Sequence, residues 1–534
     1  MDETYPYRSA VLREHLKAAG WPKPHDLFGK VCHVYGGKLV PVSLDTLVAY
    51  MRGERDLTDD AARPRQKSET FEAIIAVLKA MAGTGAGSRS QREAYEQRDK
   101  VLREHRADLS ALMSAYYALV PSEAVGSGIF EFQATLPITS SQNQDTPLIC
   151  SSVAGTPALL LMRKSWVPDT LTPLNAVKLS KRSPPPSEPA PLDAALAGDV
   201  RTLLGKRCDD DPTYHAVAIE AGSSGLTLVV RDSSYQHYYN GCEALSWELA
   251  GQWDALPQGL KRQAGETQGS YAVRLNNMTR RETGSRVHIS VRKHFSALSL
   301  RRNLVDPLDF GSRSVGIGVS TLTVMCRRGA DPLFPLHLRG VATAKHGDAR
   351  NIAEASGTVH VIPAGTFQRL SPIAIPSERA DPIEMSLERN VFREFCEEIL
   401  NKEKLIRSSA ATWDLNRMFE DDPELASAKR LFDTGRARSF FLGCGLDLVS
   451  TKLEILTLLL VDADAFDAHR LDVKMDNEEG TLENRPMRRF NAAGLAEAMM
   501  LPNLLAAGAG CIALAHARLK EIESAIDSLL ASQS

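Results

Sequence analysis

The chain has 534 residues, with 63 Lys and Arg against 66 Asp and Glu, for a formal net charge of −3. It is too long for one hydrophobic core and is expected to divide into about three domains. The balanced charge excludes a broad basic surface, and 43% hydrophobic with 24% charged residues excludes a disordered or collagen-like chain.

Cys32, Cys150, Cys208, Cys242, Cys326, Cys396, Cys444 and Cys511 stand singly, with no C-x-x-C pair and no Cys/His quartet, so neither disulfides nor structural zinc are expected. The opening Met-Asp-Glu-Thr-Tyr is acidic where a secretory signal is basic and then apolar. The most apolar stretches, 148–162 and 494–515, are interrupted by Pro157, Glu497 and Pro502 and do not read as membrane spans. A cytoplasmic location without membrane contact is the expectation.

In chain order, residues 9–20 place Val11, Leu12, Leu16 and Ala19 on one helical face before Gly20. Residues 43–53 repeat the pattern from Ser43 to Gly53, and Phe71, Ile74, Ile75 and Leu78 form a third stripe. Residues 1–82 are therefore expected to form a mainly helical domain. The segment SLDTLVAYMRGERDLTDD resembles the end of a helix-turn-helix domain of the Cro/C1 repressor type, which implies DNA as a partner for residues 1–80. Lys30, Lys38, Arg52 and Arg55 could meet phosphates, while Glu54, Asp56, Asp59 and Asp60 dilute that charge, so a small helical interaction domain reads equally well.

Residues 82–89, AGTGAGSR, follow no strand and precede no Gly-Lys-Ser/Thr, so they read as a linker rather than a phosphate loop. A charged helix over 91–119 opens a helical and mixed connecting region, 90–180. The prolines of 181–191, KRSPPPSEPAP, suit an extended linker. Beyond it, HAVAIEA, GLTLVVRD and SRVHISVRK read as strands of a mixed α/β region, 192–305, in which Trp247 and Trp253 flank a short helix as core anchors. Its histidines, His215, His237, His288 and His294, show no spacing that singles one out.

From Gly316 two strands, GIGVSTLTVMCRR and PLFPLHLRG, precede a third, TVHVIPAGTF. Residues 387–400 then give an amphipathic helix on which Glu394, Glu397 and Glu398 stand at i, i+3 and i+4. Three like charges in one turn repel and ask for a counter-cation; Mg²⁺ or Mn²⁺ prefer carboxylate oxygen, whereas Arg389, Arg393 and Lys402 could balance a merely solvated face. Residues 439–466 supply two more apolar strands, and 501–526 a packing turn and a helix.

Arg393-Glu394-Phe395-Cys396-Glu397-Glu398 resembles the R-E-U-x-E-E core of the Nudix box, and Pro363-Ala364-Gly365 is similar to the motif that opens it. With GLD at 445–447 and the late AGAGC, residues 315–534 resemble the C-terminal half of bacterial helix-turn-helix regulators carrying a Nudix-like domain. The resemblance implies a multidomain α+β chain whose C-terminal part is an α/β/α sandwich. It implies Glu394, Glu397 and Glu398 as carboxylates for Mg²⁺ or Mn²⁺, Glu394 or Glu398 as catalytic assistants to an attacking water, and Gly365 and Arg393 as structural members of the box. Lys345 and Arg350 are candidate phosphate contacts. The box spacing departs from the family: Gly365 stands 28 residues before Arg393, Met385 takes the place of the upstream glutamate, and Leu400 that of the closing glycine.

The expected function is that of a nucleotide-handling regulator, with a homodimer as the usual form of such proteins. Its Nudix-like domain would bind a nucleoside diphosphate derivative with a divalent metal, with or without hydrolysing it. An active pyrophosphohydrolase without DNA binding, and a non-catalytic interaction scaffold, are the alternatives. Asp309-Phe310-Gly311 lacks the companions of a kinase motif.

Overall fold

The computed structural model describes residues 32–35, 38–41, 85–117, 126–132, 147–182, 189–206, 208, 211–222, 225–280, 291–295, 298–304, 306–340, 357–368, 385–403, 405–406, 421–474, 480–482 and 487–531. The helices expected at 9–20, 43–53 and 68–78, the repressor-like segment, and Lys345 and Arg350 lie outside the described residues. The chain divides into two compact units, one of Met1–Gln97 with Thr202–Gly205 and one of Arg98–Arg201 with Lys206–Ser534.

In the first unit, Cys32–Tyr35 and Lys38–Pro41 pair antiparallel, Cys32 opposite Pro41 and Tyr35 opposite Lys38. The hairpin adds a short strand pair to a region read as mainly helical: Val34, Leu39 and Val40 suit strands, and the two glycines between them are of the type hairpin loops favour. A correction falls on 82–89, read as a linker, since helix α1 runs from Gly85 to Tyr116 and takes in Gly85 and Gly87.

The second unit is built on one mixed sheet. Its strands are β1 (Gly128–Phe132), β2 (Leu148–Val153), β3 (Thr156–Arg163), β4 (Lys178–Lys181), β5 (Pro212–Gly222), β6 (Gly225–Ser234), β7 (Val315–Cys326), β10 (Ala364–Thr366), β11 (Ala437–Asp447) and β12 (Leu453–Asp462). Nine of them lie in the order β1-β2-β3-β11-β12-β7-β5-β6-β4, and β10 pairs with β7 off this path. This sheet crosses the boundaries read at 181–191 and near 310, so the central region and the C-terminal region share a core scaffold.

At its centre β7 and β12 run parallel, from Ile317 opposite Leu453 to Cys326 opposite Asp462, and β11 pairs antiparallel with β12. Every residue of β7 and β12 is buried. Their continuous runs of β-branched residues and leucine are what a strand covered on both faces requires. Because side chains alternate, Leu322, Val324, Leu456, Leu458 and Leu460 share one face and pack in a core with helix α8 (Ala506–Ala517).

On the opposite face stand helices α4 (Leu387–Glu394), α5 (Pro423–Asp433) and α6 (Ala463–Ala468), joined through Phe395, Phe432 and Phe466. Ser386 caps α4 by accepting from the Arg389 N–H. Asp422 caps α5 ahead of Pro423, and Asp462 ends β12 and caps α6 by accepting from the N–H groups of Asp464 and Ala465. Helices thus cover both faces of the central strands.

Other expectations are adjusted by proline and packing. Pro335 splits the strand expected at 332–340: Leu333–Phe334 pairs with β7, whereas β8 (Leu336–Arg339) joins β9 (Val359–Val361) and β13 (Gly480–Leu482) in a separate three-stranded sheet. Pro363 likewise divides the strand expected at 358–367 between β9 and β10. Of the strand expected at 285–293, residues 291–293 lie in a helical turn, Val291–His294, and the rest lies outside the described residues. The AGAGC expected as a turn lies inside α8, where its small side chains let the helix lie close on the sheet. Trp247 and Trp253 are both buried, but Trp247 stands inside helix α2 (Ala244–Ala250) and only Trp253 flanks it. Among the described residues no helix is long and apolar enough to cross a membrane.

Candidate functional site

Strand β10 and helix α4 bring the box residues together. Gly365 lies opposite Val319 of β7. A Cβ at 365 would overlap the Glu394 carboxylate, so only glycine lets the helix settle on this strand. Beyond Glu394 the helix widens: Phe395–Ile399 forms a π turn, closed by the Leu400 N–H donating to the Phe395 carbonyl at 3.3 Å. The wider turn rotates Glu397 and Glu398 relative to a regular α-helix. Glu394, Glu397 and Glu398 are 6%, 6% and 3% exposed, so the solvated acidic face considered from the sequence is absent.

Arg393 is the hub of the cluster. Its Nη1 donates to both Glu397 carboxylate oxygens, at 3.2 and 3.4 Å, and to Gln368 Oε1 at 3.3 Å. Its Nη2 donates to Glu394 Oε1, to Asn390 Oδ1 at 3.2 Å and to the Thr366 carbonyl at 3.3 Å. Burial alone would lower the Arg393 pKa, but the carboxylates of Glu394 and Glu397 outweigh it and raise the value, so the guanidinium stays charged. Glu398 Oε2 accepts the Ala364 N–H at 3.0 Å, tying the end of the helix to the strand beside Gly365. Lys402, a candidate counter-charge, pairs instead with Glu424 at 2.8 Å and Asp422 at 3.4 Å.

Carboxylate oxygen is the right donor chemistry for Mg²⁺ or Mn²⁺. Among the described residues no group of three or more His, Cys, Asp or Glu side chains is arranged to hold a metal. As placed, the box carboxylates meet a guanidinium and a backbone amide, and they do not fit a resident divalent ion.

A second polar cluster occupies the other face of the same strands, and sequence reading missed it. Glu454 lies beside Gly318 in the parallel register, and a Cβ at 318 would overlap its carboxylate. The Val361 N–H donates to His360 Nδ1 at 2.9 Å, which leaves the imidazole proton on Nε2. That Nε2–H faces Ser320 Oγ at 3.3 Å, and the Ser320 hydroxyl donates to Glu454 Oε2 at 3.2 Å. Lys452 Nζ pairs with Glu454 Oε1 at 3.0 Å.

Burial, and then the positive charge of Arg339 and Lys452, holds His360 well below the usual histidine range, so the ring is neutral at pH 7. Ser320 is 1% exposed, which closes its hydroxyl to any substrate. The signals were present in the sequence: glycines at 316 and 318 inside a strand mark close approach, and Glu454 interrupts an apolar run.

No family model matches the chain, and no curated protein matches it in sequence.

Proposed function

We propose that this chain is a regulator whose C-terminal part binds a nucleoside diphosphate derivative without hydrolysing it, the box having become a brace between helix α4 and the sheet. The observation that carries this reading is the engagement of Arg393 with both Glu394 and Glu397 while Glu398 holds the Ala364 N–H. The resemblance of REFCEE and PAG to the Nudix box supports the ligand class. The altered spacing and the inward carboxylates support binding over turnover. DNA recognition by residues 1–80 completes the regulator reading and rests on the repressor-like segment alone.

The test is calorimetric titration of the full chain with ADP-ribose, NAD and dinucleoside polyphosphates, with and without Mg²⁺, each mixture being checked for product. Saturable binding without product is expected. Metal-dependent product that disappears in Glu398→Gln would replace this reading with the hydrolase, and neither binding nor product would leave a scaffold.

A further inference from the structure

A cleft of about 720 Å³ opens in the second unit between the β2–β3 hairpin and helix α3 (Gln268–Arg280), away from the box residues. Its volume lies in the range of sites for small organic ligands. Among the described residues Arg274 is the one charged residue on its walls, and all five of its N–H groups are committed. Nε and Nη2 grip Glu266 at 2.7 and 2.9 Å, Nη1 meets the Gly259 carbonyl at 2.6 Å and Met278 Sδ at 3.8 Å, and Nη2 also meets the Lys261 carbonyl at 3.0 Å. An anion would find no free cation there.

The rest of the wall is suited to a flat, uncharged ring. Met278 and Met500 contribute thioethers, which are polarizable and contact aromatic rings favourably. Met500 is 49% exposed, one of two exposed large apolar side chains among the described residues, and its sulfur accepts the Thr156 hydroxyl at 3.3 Å. The half-buried Asn277 amide makes no hydrogen bond among the described residues, so it offers the wall a donor and an acceptor side by side. A side-chain amide of this kind pairs in bidentate fashion with the donor–acceptor edge of a purine.

We propose that this cleft binds an uncharged planar heteroaromatic ring with a donor–acceptor edge, the chemistry of a purine base in a free nucleoside. The methionines cover the ring faces and Asn277 reads its edge. This site is independent of the box, because a nucleoside carries no diphosphate.

Titration of the full chain with adenosine and guanosine, without metal, tests it. Saturable binding is expected, weakened about tenfold or more by Asn277→Leu. Met500→Glu, at an exposed position, should weaken it similarly with an unchanged melting temperature. Absence of saturation up to the solubility of the nucleosides would overturn the proposal, as would binding that both variants leave unaltered. Binding of single-stranded oligo(dA) but not of adenosine would also overturn it, by assigning the ring to a nucleic acid strand. Adenosine binding with no binding of ADP-ribose would fail the box reading alone.

Discussion

Replacing Arg393 by Met keeps most of the side-chain volume and removes the guanidinium that pairs with both Glu394 and Glu397. At 3.2 Å, and with an effective dielectric of about 20, the attraction between Arg393 and Glu397 alone is about 5 kcal/mol before desolvation is subtracted. Arg393 is 7% exposed and each of the two glutamates 6%, so water cannot take over the lost partner. Breaking such a buried pair from one side costs about 3–5 kcal/mol, a large part of the roughly 5–15 kcal/mol that holds a typical domain together. The assay is urea unfolding of the full chain, followed by the emission of buried Trp166, Trp247 and Trp253. Adding Glu394→Gln and Glu397→Gln to Arg393→Met should recover most of the loss, because no buried charge then remains unmatched in the pair. A loss below about 1 kcal/mol, the level of an exposed pair, would refute the brace. So would a triple variant no more stable than the single one.

Three further outcomes follow from the same geometry. Gly365→Ala should destabilise by about 1–3 kcal/mol in the same unfolding assay, since its Cβ overlaps the Glu394 carboxylate, and adding Glu394→Ala should relieve it. His360 lies well below the ordinary histidine value and His215 is lowered to about 3, both chiefly by burial. The unfolded chain therefore takes up these protons first: stability holds above about pH 6.5 and falls by up to about 1.4 kcal/mol per pH unit for each histidine below it. For His215 that loss continues toward pH 3, and His360→Gln should flatten the slope measured by unfolding at pH 7, 6 and 5. Cys150, Cys208, Cys242, Cys326, Cys396, Cys444 and Cys511 are buried, with burial pushing Cys150 up to about 12, so a Cys32→Ser variant should show no thiol reactive toward Ellman's reagent until denaturant is added.

Much of the central scaffold was legible in the sequence because its cause is local. The apolar runs at 316–326 and 453–462 have strand composition, and the apolar stripe of 387–400 marks an amphipathic helix. Proline decided two strand breaks that composition alone concealed. The candidate site was legible only as a set of residues. That Glu394, Glu397 and Glu398 turn inward depends on a π turn and on Gly365, which stands far upstream. The cluster of Ser320, His360 and Glu454 joins three segments by register and sheet packing, and no local pattern carries such information. The methionine-lined cleft likewise joins residues near 155, 275 and 500.

Strand β7 shares one edge with β12, while its other edge is parcelled out to β5 at Val315 and Gly316, to β10 at Gly318–Ser320, and to Leu333 at Met325. During synthesis this strand emerges well before β12, its partner along almost its whole length. Until residue 462 has left the ribosome, a long hydrophobic edge has no native neighbour, which is the situation that invites intermolecular strand pairing. Shortened versions of this protein that end before 453 therefore keep this apolar strand and lose the partner that shields its edge.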